Sequence, residues 1–303
     1  MTGQTTPHAL LRPRVAIPFL LVALIWGSTW WVITGQISDV PAQWSVAYRF
    51  MLAAPAMFAV ALLSGKCLKL ARSGHMLAVI LGLFQFSANY NLVYLSELHL
   101  TSGIVAVMFS IIILPNSLLA AAFLGQKVTR RFLAGSAIAL VGIAMLLAYE
   151  ARLSPLGGNV PLGIFLGIAA MLAASVANIV QATPPARSLP MLSLLAWGML
   201  YGAIFDTLLA LAIAGPPVLP AGLDFWLGMV WLALAGSVLT FPLYFGLIRE
   251  IGAGRAGYNG VAVVVIAMVF STLLEGYDWS SLALGGAMLS TIGMVIALRA
   301  KSI

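Results

Sequence analysis

Long apolar runs make up most of the chain, and glycines, prolines and charged residues are concentrated in the short segments between them. A helix needs about 20 apolar residues to cross about 30 Å of hydrocarbon. Most of the runs reach that length and none is long enough to cross twice, and they lack the alternation of barrel strands, which favours helices. We predict ten membrane spans, at residues 15–35, 43–63, 75–95, 102–124, 132–149, 161–182, 191–214, 225–248, 256–275 and 281–298.

Composition and charge support this assignment and give it a direction. The chain is 62% hydrophobic and 8% charged, whereas soluble domains are roughly 45–50% apolar. Lys and Arg favour cytoplasmic loops. A cytoplasmic N-terminus places all of the 15 basic residues except Arg49 and Arg152 on that side, namely Arg12, Arg14, Lys66, Lys69, Arg72, Lys127, Arg130, Arg131, Arg187, Arg249, Arg255, Arg299 and Lys301. The outer side then holds Asp39, Glu97, Glu150, Asp224, Glu275 and Asp278, and both termini are predicted to be cytoplasmic.

The charge pattern and the absence of catalytic motifs exclude several function classes. Topology accounts for the net charge of +7, so nucleic acid is not an expected partner. Arg12 and Arg14 precede the first run as in a signal peptide, but that run spans a membrane and lacks a cleavage site, so we interpret it as an uncleaved helix. His8, His75 and His99 lie at or beyond span ends, and the sequence has neither H-E-x-x-H nor a phosphate loop. We predict no metal, no cofactor and no enzymatic activity.

An internal repeat divides the chain into two halves of similar length. The matched pairs are Gly135 with Gly286, Gly142 with Gly293, and Gln126 with Glu275, at shifts of 149 to 151 residues. We predict repeats at 1–151 and 152–303 with five helices each. Because five is odd, the second repeat crosses the membrane in the opposite sense, which is the inverted arrangement of many secondary transporters.

Five segments in order resemble a known family. They are "ALIWGSTWWV" in the first span, "YRFMLAAP" in the second, "LPNSLLAAAFLGQKVT" across the fourth, "AGSAIALVGIAML" in the fifth and "LIREIGAGRAGYNG" before the ninth. Together they resemble the EamA-type repeats of the drug/metabolite transporter superfamily, and within it bacterial amino-acid exporters of the YddG kind. The resemblance implies ten helices, with helices 1, 3, 4, 6, 8 and 9 around a central cavity. The proline usual in both repeats occurs here as Pro115 only, because Val264 stands near its counterpart.

The stretch "QFSANYN" at 85–91 places polar side chains in the middle of the third span. Unpaired polar groups are costly in hydrocarbon, so this helix is expected to face protein or water along much of its length. At 100° per residue, Gln85 and Asn89 share one face, whereas Ser87, Asn91 and Tyr94 share the nearly opposite one. We predict that Gln85 and Asn89 line the cavity, although hydrogen bonds between helices would also explain any one of these residues.

Other midspan polar and aromatic residues fall in helices that the resemblance makes central. Trp26 and Trp30 share a face and could line the cavity, and interfacial anchoring is the alternative. The remaining predicted substrate contacts are Asn116, Asn178, Gln181 and Tyr244. Ser28, Thr29, Ser110, Ser117, Ser175, Ser237 and Thr240 are weaker candidates, because Ser and Thr in membrane helices usually bond a carbonyl of their own helix.

Pro115 and two intramembrane charges raise structural questions. Pro115 leaves the Ile111 carbonyl without its helical donor, so the fourth helix should kink there, as a hinge or as part of the cavity wall. Arg49 and Asp206 lie well inside spans, and such ions are functional candidates. They could pair, but helices 2 and 7 are repeat mates and could sit on opposite sides, so we favour separate structural roles.

The combined pattern predicts an all-α membrane protein of the bacterial inner membrane that exports small neutral or zwitterionic metabolites. Amino acids, aromatic or otherwise largely apolar, are the class that the resemblance implies, and export is implied by it alone. The alternatives are a channel or lipid scramblase, and a non-transporting membrane assembly subunit. Glycine faces in helices 5 and 10 allow close helix approach, or a homo-oligomer contact. The interior shows no carboxylate relay, so uniport is consistent with the sequence, and coupling stays open.

Overall fold

The computed structural model describes residues 12–38, 40–153, 159–251, 256–276 and 278–298, and the regular structure of these residues is helical. The long helices are α1 (Pro13–Gln36), α2 (Ala42–Leu63), α3 (Arg72–Glu97), α4 (Ser102–Leu124), α5 (Arg130–Leu153), α6 (Val160–Ala182), α7 (Met191–Ile213), α8 (Leu223–Ile251), α9 (Tyr258–Leu274) and α10 (Ser281–Leu298). Asp39, Arg255, Arg299 and Lys301, and the side chains of Glu150 and Arg152, lie outside the described residues.

Each predicted span coincides with one of these helices to within a few residues. Over the described residues, seven helices, α1 to α4 and α6 to α8, are long and apolar enough to cross a membrane. Shorter apolar stretches occupy Ala262–Leu274 in α9 and Ser281–Gly293 in α10. The full set of ten crossings and the cytoplasmic position of both termini stay predictions.

Three helices depart from regular α geometry near the centre of the bundle. α3 contains a π-helical stretch at Gly82–Ala88, and α8 contains one at Trp231–Leu239. π-helical stretches inside α-helices are frequent at functional sites. In α4 a 3₁₀ turn at Ser110–Ile112 comes just before Pro115, where the proline cannot donate to the preceding turn. The hinge role of Pro115 stays a prediction.

The helices pack with the pseudo-two-fold pattern expected of inverted repeats. The repeat mates α2 and α7 pack against each other, and so do α5 and α10. The contact of α1 with α9 is matched by that of α6 with α4, and the contact of α3 with α6 by that of α8 with α1. Helices 2 and 7 are therefore neighbours, and the expectation that they could sit on opposite sides was wrong.

Glycines form the contact between α5 and α10. A Cβ on Gly142 would lie 2.5 Å from the carbonyl oxygen of Gly286, and a Cβ on Gly293 would lie 2.6 Å from that of Gly135. The repeat operation exchanges these two contacts, since Gly135 matches Gly286 and Gly142 matches Gly293. Both glycine faces are occupied within one chain, so the homo-oligomer contact predicted through them is not supported.

Candidate functional site

A cavity lies inside the bundle between helices of both halves. Its walls come from α1, α3, α4, α6, α8 and α9, the six helices that the resemblance placed there. Every lining side chain is uncharged. Six of the eight predicted substrate contacts line it, namely Trp26, Trp30, Gln85, Asn89, Asn178 and Tyr244.

Aromatic rings form much of the cavity wall. The Trp26 ring lies 4.8 Å from that of Tyr244 and 5.5 Å from that of Phe241, measured between centroids. The Trp30 ring lies 5.3 Å from Phe109 on the α4 side. The Trp26 indole Nε1 donates to the Gly236 carbonyl at 3.2 Å, which fixes the ring within the bundle. Trp26 and Trp30 therefore face the interior and do not serve as interfacial anchors, and the wall suits an apolar or aromatic group.

Three lining residues carry buried polar atoms that have no hydrogen-bond partner among the described residues. They are the indole Nε1 of Trp30 and the side-chain oxygens of Asn89 and Asn259. The Asn259 amide nitrogen donates to the Phe19 carbonyl at 2.6 Å, so its oxygen is the atom left over. Buried polar groups are normally satisfied by protein, water or ligand. One donor and two acceptors, all in residues that line the cavity, are thus left without a hydrogen-bond partner among the described residues.

Sequence analysis missed Asn259 because it begins α9, next to the loop. Polar residues at the ends of spans usually reach water, so its position gave no reason to single it out. The structure buries it to 1% exposure, because α9 packs along α1. A polar residue in the first turn of a central span was the only available signal.

The two faces of α3 lie in different surroundings. Gln85 and Asn89 line the cavity. On the other face, the Asn91 amide donates to the Asp206 carboxylate at 2.8 Å, and the Tyr94 hydroxyl accepts from Arg49 at 3.3 Å. One face of "QFSANYN" thus borders the cavity, and the other joins α3 to α2 and α7.

Arg49 is the largest fully buried side chain among the described residues, at 1% exposure. Its guanidinium donates to the Ser237 hydroxyl at 3.1 Å, the Gly236 carbonyl at 3.2 Å, and the hydroxyls of Tyr94 and Tyr90 at 3.3 and 3.4 Å. It also lies over the Tyr90 ring, 4.3 Å from the centroid, in a cation–π contact. Arg49 therefore joins α2, α3 and α8.

Asp206 binds elsewhere, so the two intramembrane charges have separate partners. It is fully buried in α7 and accepts from Asn91 in α3. The preference for separate structural roles is thus consistent with the observed contacts, although α2 and α7 are neighbours.

Asn116 and Gln181 do not line the cavity. Asn116 is buried behind the wall and accepts from the Asn178 amide at 3.4 Å. Gln181 accepts from Arg249 at 3.2 Å, near the end of α8. Asn178 and Gln181 share a helical face, as expected, but α6 extends past the cavity, so that only Asn178 reaches it.

Four of the seven weaker hydroxyl candidates donate to a carbonyl of their own helix, whereas the Ser175 and Thr240 hydroxyls have no hydrogen-bond partner among the described residues. Ser28, Thr29 and Ser110 each donate to the carbonyl three residues earlier, at 2.6 to 2.8 Å. Ser237 donates to the Leu232 carbonyl five residues earlier, within the π-helical stretch. The same Ser237 hydroxyl accepts from Arg49, so it has a structural role.

Glu97 departs from its predicted environment. The charge pattern placed it in an outer loop, but it is the last residue of α3 and is 3% exposed. Its two carboxylate oxygens are buried without a hydrogen-bond partner among the described residues. This burial could not be predicted from the local sequence, because it comes from neighbouring helices. Glu97 was expected on the outer side as a loop residue, and the structure places it instead as a buried residue at the end of α3.

Comparison with known proteins agrees with this architecture. The EamA-like transporter family matches the chain twice, at residues 14–148 and 161–299. A solved crystal structure superposes with a TM-score of 0.70 at 19% identity, covering 93% of this chain and 95% of that one. That likeness shows the fold. The boundary between repeats at 151 and 152 stays a prediction.

Three curated relatives cover most of the chain. Protein PagO of Salmonella typhimurium is 22% identical over 96% of this chain and 95% of its own length. A probable amino-acid metabolite efflux pump of the same organism is 25% identical, over 91% and 92%. The uncharacterized inner membrane transporter YedA of Escherichia coli K12 is 30% identical, over 86% and 84%. These similarities, with the apolar helices, indicate a multi-pass protein of the bacterial inner membrane.

Proposed function

The chain belongs to the EamA-like transporter family, and from that premise we propose that it is a secondary transporter that exports small zwitterionic metabolites. Amino acids with aromatic or other largely apolar side chains are the leading class. The relative named a probable amino-acid metabolite efflux pump supports this choice. The cavity, with its aromatic wall and three unpartnered polar atoms, is the observation on which the proposal rests.

The chemistry of the cavity complements a zwitterion with an apolar side chain. The Trp30 N–H is a donor for a carboxylate, and the side-chain oxygens of Asn89 and Asn259 are acceptors for an ammonium group. The rings of Trp26, Tyr244 and Phe241 can receive the apolar side chain. A phosphorylated sugar would require Lys or Arg in the wall, whereas the lining is uncharged.

The repeat architecture suggests alternating access. Each half contributes three helices to the cavity, and glycines join α5 of one half to α10 of the other. Rocking of one half against the other would expose a midplane site to each side in turn. Trp30 and Phe109 come from the first half, and Tyr244 and Asn259 from the second, so the movement would change the cavity's shape.

Reconstitution tests the function directly. Purified protein in liposomes should exchange labelled phenylalanine or leucine in a saturable manner, with competition between the two. Flux that rises linearly with concentration and shows no competition would favour a channel, and movement of labelled lipid between leaflets would favour a scramblase. A complete lack of amino-acid flux would contradict the proposal and favour a non-transporting membrane subunit. Protein-free liposomes are the control.

A further inference from the structure

A buried acidic group lies outside the cavity, where α3 ends, α4 begins and α9 ends. We call Glu97, Glu275, Ser102 and Ser271 the outer carboxylate site, because charge topology assigns this end of the bundle to the outer side. Glu97 is 3% exposed and both of its oxygens lack hydrogen-bond partners among the described residues. Burying an ionised carboxylate without donors costs several kcal/mol in round terms, and binding a proton removes that charge.

The surroundings of Glu97 hold one cation and a second carboxylate. Arg49 of α2 donates to Tyr94, which precedes Glu97 by three residues on α3, and Glu275 at the end of α9 accepts from Ser102, which follows Glu97 by five residues. Tyr94 lies one turn earlier on α3, and His99 follows in the next loop, where its Nδ1 accepts from the Asn159 N–H. The Arg49 guanidinium already donates to Ser237, Gly236 and two tyrosines. The net charge of two carboxylates and one guanidinium is zero only when one of the carboxylates has bound a proton.

Glu275 forms hydrogen bonds that connect the outer carboxylate site to α4 and α9. It accepts from the Ser102 hydroxyl of α4 at 2.6 Å and from the Ser271 hydroxyl of α9 at 2.6 Å. Beside it the helices touch so closely that a Cβ on Gly103 would lie 2.9 Å from the Ser271 Cβ. Through these two hydrogen bonds the Glu275 carboxylate holds the start of α4 against the end of α9.

The residues equivalent to Glu275 and Ser271 in the first repeat have different chemistry. At a shift of 149 residues, Glu275 corresponds to Gln126 and Ser271 to Ala122. At the end of α4 the carboxylate is thus replaced by a neutral amide and the serine of the preceding turn by an alanine.

We propose that Glu97 and Glu275 form a proton-binding site whose occupancy keeps the outer ends of α4 and α9 together. When the proton leaves, repulsion between the two carboxylates favours separation of the end of α9 from the end of α3 and from the start of α4, which follows α3 directly. Binding and release convert Glu97–COO⁻ and H⁺ to Glu97–COOH and back, with no other reactant. The consequence for transport rests on the proposed function: if the proton is taken up from the outer side and released to the cytoplasmic side once per cycle, export becomes an exchange of substrate for protons.

The binding of the proton can be tested without a substrate. Infrared spectra of the purified protein in liposomes at neutral pH should contain a protonated-carboxyl component that Glu97→Gln removes. Asp206→Asn is the matched control, because Asp206 is the other carboxyl that is buried in a span among the described side chains, and this change should leave the Glu97 component in place. Identical spectra for wild type and Glu97→Gln would overturn the proposal. Glu275→Gln leaves one carboxylate in the site and should change the pH at which the Glu97 component titrates. An unchanged titration would also contradict the proposal.

Coupling is tested with labelled phenylalanine in the same liposomes. With one proton exchanged per substrate, a gradient of one pH unit should change the accumulation ratio about tenfold in wild type. Glu97→Gln should abolish that accumulation while retaining exchange without a gradient. Equal accumulation in both proteins, or accumulation driven by Na⁺ instead of protons, would contradict the coupling. If no amino acid moves at all, the proposed function fails, and the infrared result still decides whether the site binds a proton.

Discussion

Arg49→Met removes the buried cation that joins α2, α3 and α8, and its effect on stability can be estimated from its contacts. Four hydrogen bonds are lost, and each bond to a charged group contributes about 1.5–3 kcal/mol. The recovered cost of burying the guanidinium, several kcal/mol in round terms, offsets much of this. Two acceptors also keep other contacts, since Trp26 donates to Gly236 and the Ser237 hydroxyl donates to Leu232.

The balance predicts a destabilisation of about 2–4 kcal/mol for Arg49→Met. Arg49→Lys should lose less, because the ammonium keeps the charge but reaches fewer of the acceptors. The assay is equilibrium unfolding in mixed micelles, followed by helical circular dichroism. Arg72→Met, at an exposed position, is the matched control and should change stability by less than about 0.5 kcal/mol. A loss of stability below about 1 kcal/mol for Arg49→Met would contradict the conclusion that Arg49 stabilises the packing of α2 with α3 and α8.

The same assay tests whether Arg49 and Asp206 act separately. They have different hydrogen-bond partners, so the effects of Arg49→Met and Asp206→Asn should add to within about 0.5 kcal/mol. A coupling energy well above that value would indicate a direct interaction that the observed contacts do not contain.

Three further predictions concern the helix contact, the cavity and the proline. Gly142→Ala should destabilise the protein by about 1–3 kcal/mol, measured by unfolding in micelles. Gly35→Ala, at a position with open space around it, is the control and should not change stability. Equal effects of the two changes would contradict a stabilising role of the α5–α10 contact. Asn259→Ala should raise the KM for labelled phenylalanine about tenfold, and an unchanged KM would exclude it from the site. Pro115→Ala should lower the maximal exchange rate more than it alters KM, as expected if Pro115 is a hinge. A larger change in KM than in the maximal rate would indicate that Pro115 is part of the cavity wall instead.

The sequence predicted those features that depend on local pattern. Helix positions followed from apolar length, and the split of α3 followed from 100° of rotation per residue, despite the π-helical stretch at Gly82–Ala88. The inverted arrangement followed from an odd number of helices per repeat. The membership of the cavity wall came from the resemblance, because hydropathy alone does not say which helices meet.

What escaped prediction depends on packing between distant segments. Gln181 shares a face with Asn178, but α6 runs beyond the cavity and brings Gln181 to Arg249. Asn259 and Glu97 lie at helix ends, where polar residues normally meet water, and both are buried by neighbouring helices. The closeness of α2 and α7 was also missed, because a repeat relation does not specify whether the mates lie side by side.

The most direct test of the central claim compares the two faces of α3 in a transport assay. Asn89 lines the cavity, whereas Asn91 binds Asp206 behind it. In liposomes containing equal amounts of folded protein, Asn89→Ala should raise the KM for phenylalanine about tenfold, and Asn91→Ala should leave KM unchanged while lowering stability. A KM that changes with Asn91→Ala and not with Asn89→Ala would contradict substrate binding in this cavity.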